Sequence, residues 1–369
     1  MPLQGKGIFI WKLPKCENAN PATIGRLARS ANLTHVLIKI ADGIYKYNVE
    51  KSTLYDYIPP VVAELRHHGI QVWGWHYVYG MDPQGEARVA IQRVKELELD
   101  GYVVDAEVEY KTAGRAAAAR TFMSKIRSEL PNTPIALSSY RYPSYHPQFP
   151  WKEFLNKCDI NMPQMYWEKA HNPGAQLVRC VKEFQAMTPY RPVLPTGAAY
   201  GAGTWRPTPA DIKEFLDKVQ ELKIPAANFY SWDESRNRFP ELWKAISDYS
   251  WGELPPEPPK DMADQLIEAW NSHEVERVAN LYAANAAHIT RARTIHGQIA
   301  IRAWYNTFLN EILPGGHFTR TALSGTGNIR HLSWSATSSK SQVTDGVDTL
   351  GLVNDRIVYH YTNFTVTKS

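Results

Sequence analysis

The chain has 369 residues, more than one typical hydrophobic core accommodates and enough for two domains. Hydrophobic residues make up 44% and charged residues 21%, so both parts are expected to be globular. The net charge is only +4, with Lys and Arg scattered, which argues against the basic stripe of a nucleic-acid-binding surface.

No run of about 18 apolar residues is present to span a membrane. The opening apolar run, Gly7–Trp11, is far too short for the core of a secretory leader. As it stands the chain is expected to be cytoplasmic, or exported by another route. Cys16, Cys158 and Cys180 form neither a disulfide framework nor a metal-like spacing. The only close His pair, His67-His68, falls in an expected helix where adjacent side chains diverge, so no metal is expected. No phosphate-cradling glycine loop occurs, so no nucleotide cofactor is expected either.

Up to residue 252 the chain reads as eight strand-then-helix units. The strand-like runs are Gly7–Trp11, His35–Ile40, Gln71–Tyr77, Gly101–Asp105, Pro134–Ser139, Ile160–Gln164, Pro192–Thr196 and Ala227–Trp232. Amphipathic stretches lie between them, most clearly Tyr55–His68, Glu86–Glu98, Gly114–Leu130, Ala175–Met187 and Pro209–Leu222. Continuous apolar strands alternating with helices indicate a parallel sheet covered on both faces. Eight units in about 250 residues fit an α/β (β/α)8 TIM barrel. The alternative is a doubly wound open sheet. That fold would want a glycine-rich turn after strand one, where Lys12-Leu-Pro-Lys-Cys16 stands instead.

The run Asp100-Gly-Tyr-Val-Val-Asp-Ala-Glu107 carries the chemistry. Side chains alternate along a strand, so Asp105 and Glu107 face the same way. Two neighbouring carboxyls repel, and one is expected to hold a proton near neutrality. A glycosidase needs such an acid beside a charged neighbour. A polar strand end that merely carries two acids is the bland alternative. The other strand ends weigh against it, since function in a barrel collects there: Lys39, His76, Gln164, Tyr166, Trp167, Trp232 and Asp233.

Residues 253–260 read as a Pro-rich linker. Residues 261–369 read as an α+β domain, helices first and antiparallel strands later. Asp261 is expected to cap a helix through Met262, Leu266, Ala269 and Trp270. A second helix is expected through Val275, Val278, Leu281 and Tyr282, and a third through Ile299, Ala303, Trp304, Phe308 and Ile312. Strands are expected over Phe318–Leu323, Asn328–Thr337, Ser341–Leu352 and Arg356–Val366, with a tight turn at Asn354-Asp355.

The first domain resembles family 25 lysozymes, with features of family 18 chitinases. The residues that carry this are Asp100-Gly101 with Asp105-Ala-Glu107, Ile38-Lys-Ile-Ala-Asp-Gly43, Met162-Pro-Gln-Met-Tyr-Trp167 and Trp232. The chitinase pattern has a further Asp where Val103 stands, and family 25 lysozymes have an acid on strand one where Phe9 stands. The resemblance implies a glycoside hydrolase acting on β-linked N-acetylhexosamine glycans, peptidoglycan or chitin-like. It implies Glu107 as general acid/base, Asp105 and Tyr166 as its catalytic partners, and Trp232 as a stacking floor. Gln164, Asp233, His76, Lys39 and Trp167 follow as substrate-binding candidates. The alternative is a glycan- or small-ligand-binding protein without hydrolysis.

The second domain resembles SnoaL-like domains of the nuclear-transport-factor-2 superfamily. Matching stretches are Ala269–Glu276, Leu281–Ala283, His296–Arg302 and Val343–Leu350. That resemblance implies a cone-shaped fold, pairing of two copies through their sheets, and a pocket with candidate residues Asp348, Trp304, His317, Trp334, His360 and His288. Any chemistry in this pocket is expected to act on a small hydrophobic molecule.

Overall fold

A computed structural model describes residues 3–252, 260–325 and 327–368. The expected linker lies almost wholly outside them. The chain divides into two compact units, and the division groups the short segments Asn20–Gly25 and Pro59–His68 with the C-terminal one.

Among the described residues, the first unit is built on eight parallel strands: β1 Gly5–Ile10, β2 Leu33–Asp42, β3 Gln71–Val78, β4 Gly101–Ala106, β5 Ile135–Tyr140, β6 Ile160–Met165, β7 Thr196–Ala198 and β8 Ala226–Tyr230. Each pairs with the next, and β1 pairs with both β2 and β8, so the sheet closes. Closure excludes the open doubly wound alternative and is consistent with a TIM-barrel-like fold. Helices fall between the strands in sequence and after the last of them: α1 Pro21–Ser30, α2 Ile58–His67, α3 Pro83–Glu96, α4 Arg115–Glu129, α5 Trp151–Leu155, α6 Pro173–Gln185, α7 Pro209–Glu221, α8 Trp232–Asn237 and α9 Pro240–Asp248.

Local chemistry sets these boundaries. Pro83, Pro173, Pro209 and Pro240 each stand in a first helical turn, where a missing N–H costs nothing. Asp82 caps α3 by accepting from Gly85 N at 2.8 Å, and Thr208 and Asp211 form a reciprocal capping box on α7. Two expectations shift. The seventh strand is Thr196–Ala198 rather than Pro192–Thr196; Val193 makes only an isolated bridge to Asn161. The eighth strand stops at Tyr230, and Trp232 begins α8.

The barrel interior is packed by alternating inward residues, among them Phe9, Leu37, Trp73, Trp75, Val103, Ala136 and Met162. Gly7 is required there. A Cβ on Gly7 would meet the His35 ring at 2.1 Å. That ring is held at both ends, by the Thr34 hydroxyl at 2.8 Å and Asn228 Oδ1 at 2.7 Å.

The second unit begins with α10 Met262–Asn271, α11 Val275–Ala279 and, further on, α12 Gln298–Thr307, which continues into a π turn over Phe308–Ile312. Asp261 caps α10 as expected, accepting from Ala263 N at 2.9 Å. The strands are β9 Tyr282–Ile289, β10 Thr294–His296, β11 His317–Ser324, β12 Ile329–Thr337, β13 Ser341–Val353, β14 Arg356–Asn363 and β15 Thr367–Lys368. Their order is β10-β9-β14-β13-β12-β11, with β15 paired to β13. Asn354 and Asp355 have φ of 50° and 55°, the left-handed pair that a two-residue hairpin turn requires. The expected order of helices first and antiparallel strands later is corrected. β9 and β10 come before α12, Tyr282 lies in β9 rather than in a helix, and β9 runs parallel to β14. Polar Asn285 and the small alanines of β9 hide its strand pattern, which only sheet pairing reveals.

Gly7→Ala is expected to cost about 2 kcal/mol of stability through overpacking, read as a lower urea midpoint. An unchanged midpoint would mean that His35 gives way freely.

Candidate functional site

The C-terminal ends of the barrel strands enclose a pocket of about 360 Å³. Phe9 and Trp11 line it from β1 and the residues after it, Lys39 and Asp42 from β2, and Trp75, Tyr77 and Tyr79 from β3 and its exit. Asp105, Glu107 and Glu109 come from β4 and the turn that follows, Ser138 from β5, Gln164 and Tyr166 from β6 and its exit, and Tyr230 from β8.

Strand parity explains most of this set. Residues 75, 77 and 79, residues 105 and 107, and residues 164 and 166 each keep one face, and Glu109 follows in the turn Val108–Lys111. Lys39 and Asp42 have opposite parity and still share the pocket. The register of β2 against β3 slips between Lys39 and Ala41, and such a bulge turns the following residue over. Lys39 Nζ then donates to Asp42 Oδ2 at 2.6 Å, and Tyr79 donates to Asp42 Oδ1 at 2.8 Å.

The two expected acids meet here. Gln164 Nε2 donates to Asp105 Oδ1 at 3.1 Å and to Glu107 Oε1 at 2.8 Å, so those oxygens lie no more than about 6 Å apart. Ser138 Oγ also donates to Asp105 Oδ1, at 3.0 Å. Burial, and then the Glu107 charge, push the Asp105 carboxyl well above its usual range. Burial, with the Glu109 charge added, pushes Glu107 up too. Lys39 opposes both shifts. Two carboxyls this close and this little hydrated disfavour each other's ionised form. Tyr77 donates to Glu109 Oε2 at 2.9 Å. Burial holds the Tyr77, Tyr166 and Tyr230 phenols far above their ordinary range, so they remain hydrogen-bond donors.

Of the expected barrel residues, Asp105, Glu107, Gln164, Tyr166 and Lys39 are brought together. Four are not. His76 lies between two pocket residues and therefore points the other way; it bonds the Gly43 carbonyl at 2.8 Å and the Tyr102 hydroxyl at 3.0 Å, and burial lowers its pKa to about 4. Trp167 follows Tyr166, also points away, and packs fully buried on Phe215. Trp232 is fully buried against Trp243, with ring centroids 4.6 Å apart, so it offers no stacking floor. Asp233 sits behind the pocket, where Oδ1 accepts from Trp11 N at 3.5 Å. Conversely, Trp11, Trp75, Tyr79 and Tyr230 line the pocket without having been expected there, and Asp42, Tyr77 and Glu109, polar residues at or just past their strand ends, line it as well. Counting by twos from Tyr77 along β3 and its exit reaches Trp75 and Tyr79, and the bulge in β2 brings Asp42 to the same face as Lys39.

In the second unit, Asp348 anchors a buried network. Its Oδ1 accepts from Trp334 Nε1 at 3.1 Å and from Thr362, and its Oδ2 faces His360 Nε2 at 2.9 Å. His360 Nδ1 meets the Tyr282 hydroxyl at 2.6 Å, which meets Tyr305 at 2.6 Å. His288 stacks on His360 with centroids 4.3 Å apart. Among the described residues both His288 ring nitrogens lack a partner, and burial lowers its pKa to about 2. Trp304 only edges onto His288, at 6.1 Å. His317 is not part of the network: it alternates with buried Phe318 and is exposed.

Residues 263–360 match the family model of the SnoaL-like domain. The second unit is a SnoaL-like domain. Solved structures similar to the chain include an NTF2-like protein of unknown function from Cytophaga hutchinsonii, 11% identical, covering 28% of this chain and 88% of that one, with a TM-score of 0.25. Proteins from Sphaerobacter thermophilus (21% identical, 28% and 94% covered, TM-score 0.25) and Kribbella flavida (19%, 28% and 84%, TM-score 0.25) are also similar. No curated protein matches the chain.

Asp348→Ala strips three buried donors of their acceptor. It is expected to destabilise the SnoaL-like domain by about 3 kcal/mol, seen as earlier loss of tertiary signal in denaturant. Full retention of stability would show the network to be dispensable.

Proposed function

We propose that the barrel hydrolyses β-linked N-acetylhexosamine glycans of the peptidoglycan or chitin kind. The Asp105–Glu107 pair carries this reading: two buried carboxyls share one amide donor in an aromatic-walled pocket at the strand ends. Glu107 is the less buried of the two and is the general acid/base. It protonates the leaving glycosidic oxygen as the substrate's own acetamido oxygen attacks the anomeric carbon. Asp105 accepts the acetamido N–H, and the Tyr166 hydroxyl donates to the acetamido oxygen. The Glu107 carboxylate then takes a proton from the water that opens the cyclic intermediate. No enzymic nucleophile is needed, which accommodates Phe9 at the strand-one position. Trp11, partly exposed at the pocket, takes over the stacking role expected of Trp232.

A second reading is a barrel that binds glycan without cleaving it, with any chemistry in the SnoaL-like domain. Two unpartnered nitrogens on buried His288 favour it, since buried polar atoms are ordinarily satisfied.

Wild type is expected to release reducing ends from purified peptidoglycan or chitin oligomers, and Glu107→Gln to bind them without release. Binding without release by both proteins would select the second reading. The pH profile gives an independent check. Lys39 favours the ionised form of both acids, so Lys39→Met raises both pKa values. Both limbs of kcat/KM are then expected to move to higher pH. Limbs that stay put or move down would remove Lys39 from the charge balance.

A further inference from the structure

We infer that Gln164 is a positioning residue for the acid pair: its amide occupies the facing oxygens of Asp105 and Glu107, keeps the two carboxyls from sharing a proton, and leaves Glu107 to deliver its proton from Oε2. This rests on the glycosidase reading above and assigns the atom that carries out its proton transfer.

An amide nitrogen carries two hydrogens and accepts none. Gln164 Nε2 directs them at the pair, 3.1 Å from Asp105 Oδ1 and 2.8 Å from Glu107 Oε1. The same nitrogen lies 3.4 Å from Ser138 Oγ, which itself donates to Asp105 Oδ1 at 3.0 Å. Turned over, the amide would aim its carbonyl at both acids, which only a doubly protonated pair tolerates. The facing oxygens are thus held as acceptors, and a proton on Glu107 sits on Oε2. Among the described residues no protein donor reaches that oxygen. When the Oε2–H bond breaks, the glycosidic oxygen takes the proton, and Oε1 keeps the amide donor that steadies the new carboxylate. Oε2 then takes a proton back from water.

The residue type suits this role. A lysine here would add a charge and drive both acids to the ionised form. An apolar residue would leave the facing oxygens, no more than about 6 Å apart, free to approach and close on one proton. The amide separates the acids without adding charge. Burial raises the pKa of both acids, and Gln164 opposes the rise at each. The other groups facing the pair are Lys39 from β2, Glu109 and Lys111 from the turn after β4, and the phenols of Tyr77, Tyr140, Tyr166 and Tyr230. Burial holds those phenols above their ordinary range, so they stay protonated where the acids titrate.

The test compares the full wild-type chain with Gln164→Met on chitin oligomers across pH. Without the amide the carboxyls close on a shared proton, which raises the pKa for losing the last one. The alkaline limb of kcat/KM is expected to move to higher pH, with kcat down about hundredfold and KM little changed. Gln164→Glu keeps the shape, loses the amide donor and adds a like charge. The same alkaline shift is expected of it, and it carries the test if near-UV circular dichroism shows that Gln164→Met does not fold. An alkaline limb that stays put or moves down, an unchanged kcat, or a loss that appears only as a higher KM would overturn the inference and leave the glycosidase reading standing, with Gln164 a sugar contact or a bystander. If wild type releases no reducing ends, the glycosidase reading falls and takes the inference with it.

Discussion

Two carboxyl groups buried side by side at the end of one strand set the conditions for the whole upper half of the barrel. Removing a charge from water is expensive, and two like charges in the same place are more so. The neighbouring strands supply the compensation. Gln164 from β6 donates to both acids, Ser138 from β5 to the deeper one, and Lys39 from β2 adds the one opposing charge close to both. Lys39 in turn depends on Asp42, which reaches it only because β2 bulges, and on the aromatic faces around it. The aromatic wall is therefore partly electrostatic in purpose.

The barrel was legible because its strands are buried on both sides and read as unbroken apolar runs, a pattern set by local sequence. The acid pair was legible for a related reason, since a spacing of two on a strand keeps one face. Sequence reading failed where adjacent residues were both chosen, as with Tyr166 and Trp167. It failed again at Trp232, where one extra residue past the strand turned an apparent floor into a buried helix start. In the second unit, small and polar residues gave β9 no strand signature. Its place comes from pairing with β14, whose residues lie some 70 positions later, as in Tyr282 opposite Ile357.

The two units treat a buried acid in opposite ways. Asp348 is surrounded by donors from Trp334, Thr362 and His360, all on inward positions of adjacent strands. Its lone pairs are largely occupied, and it serves as an anchor for the SnoaL-like core. Glu107 and Glu109 each accept one protein side-chain donor and keep an oxygen toward the pocket. Among the described residues of the SnoaL-like domain, by contrast, the buried side-chain atoms without a partner include both ring nitrogens of His288.

Leu37, Trp73, Val103, Ala136 and Met162 fill the barrel beneath the acids, so the pocket is a blind well. Entry and exit share one mouth. For the glycosidase proposed above, a ligand that reaches the bottom of the well has to leave by the way it came, so departure of a short product would compete with arrival of the next chain end.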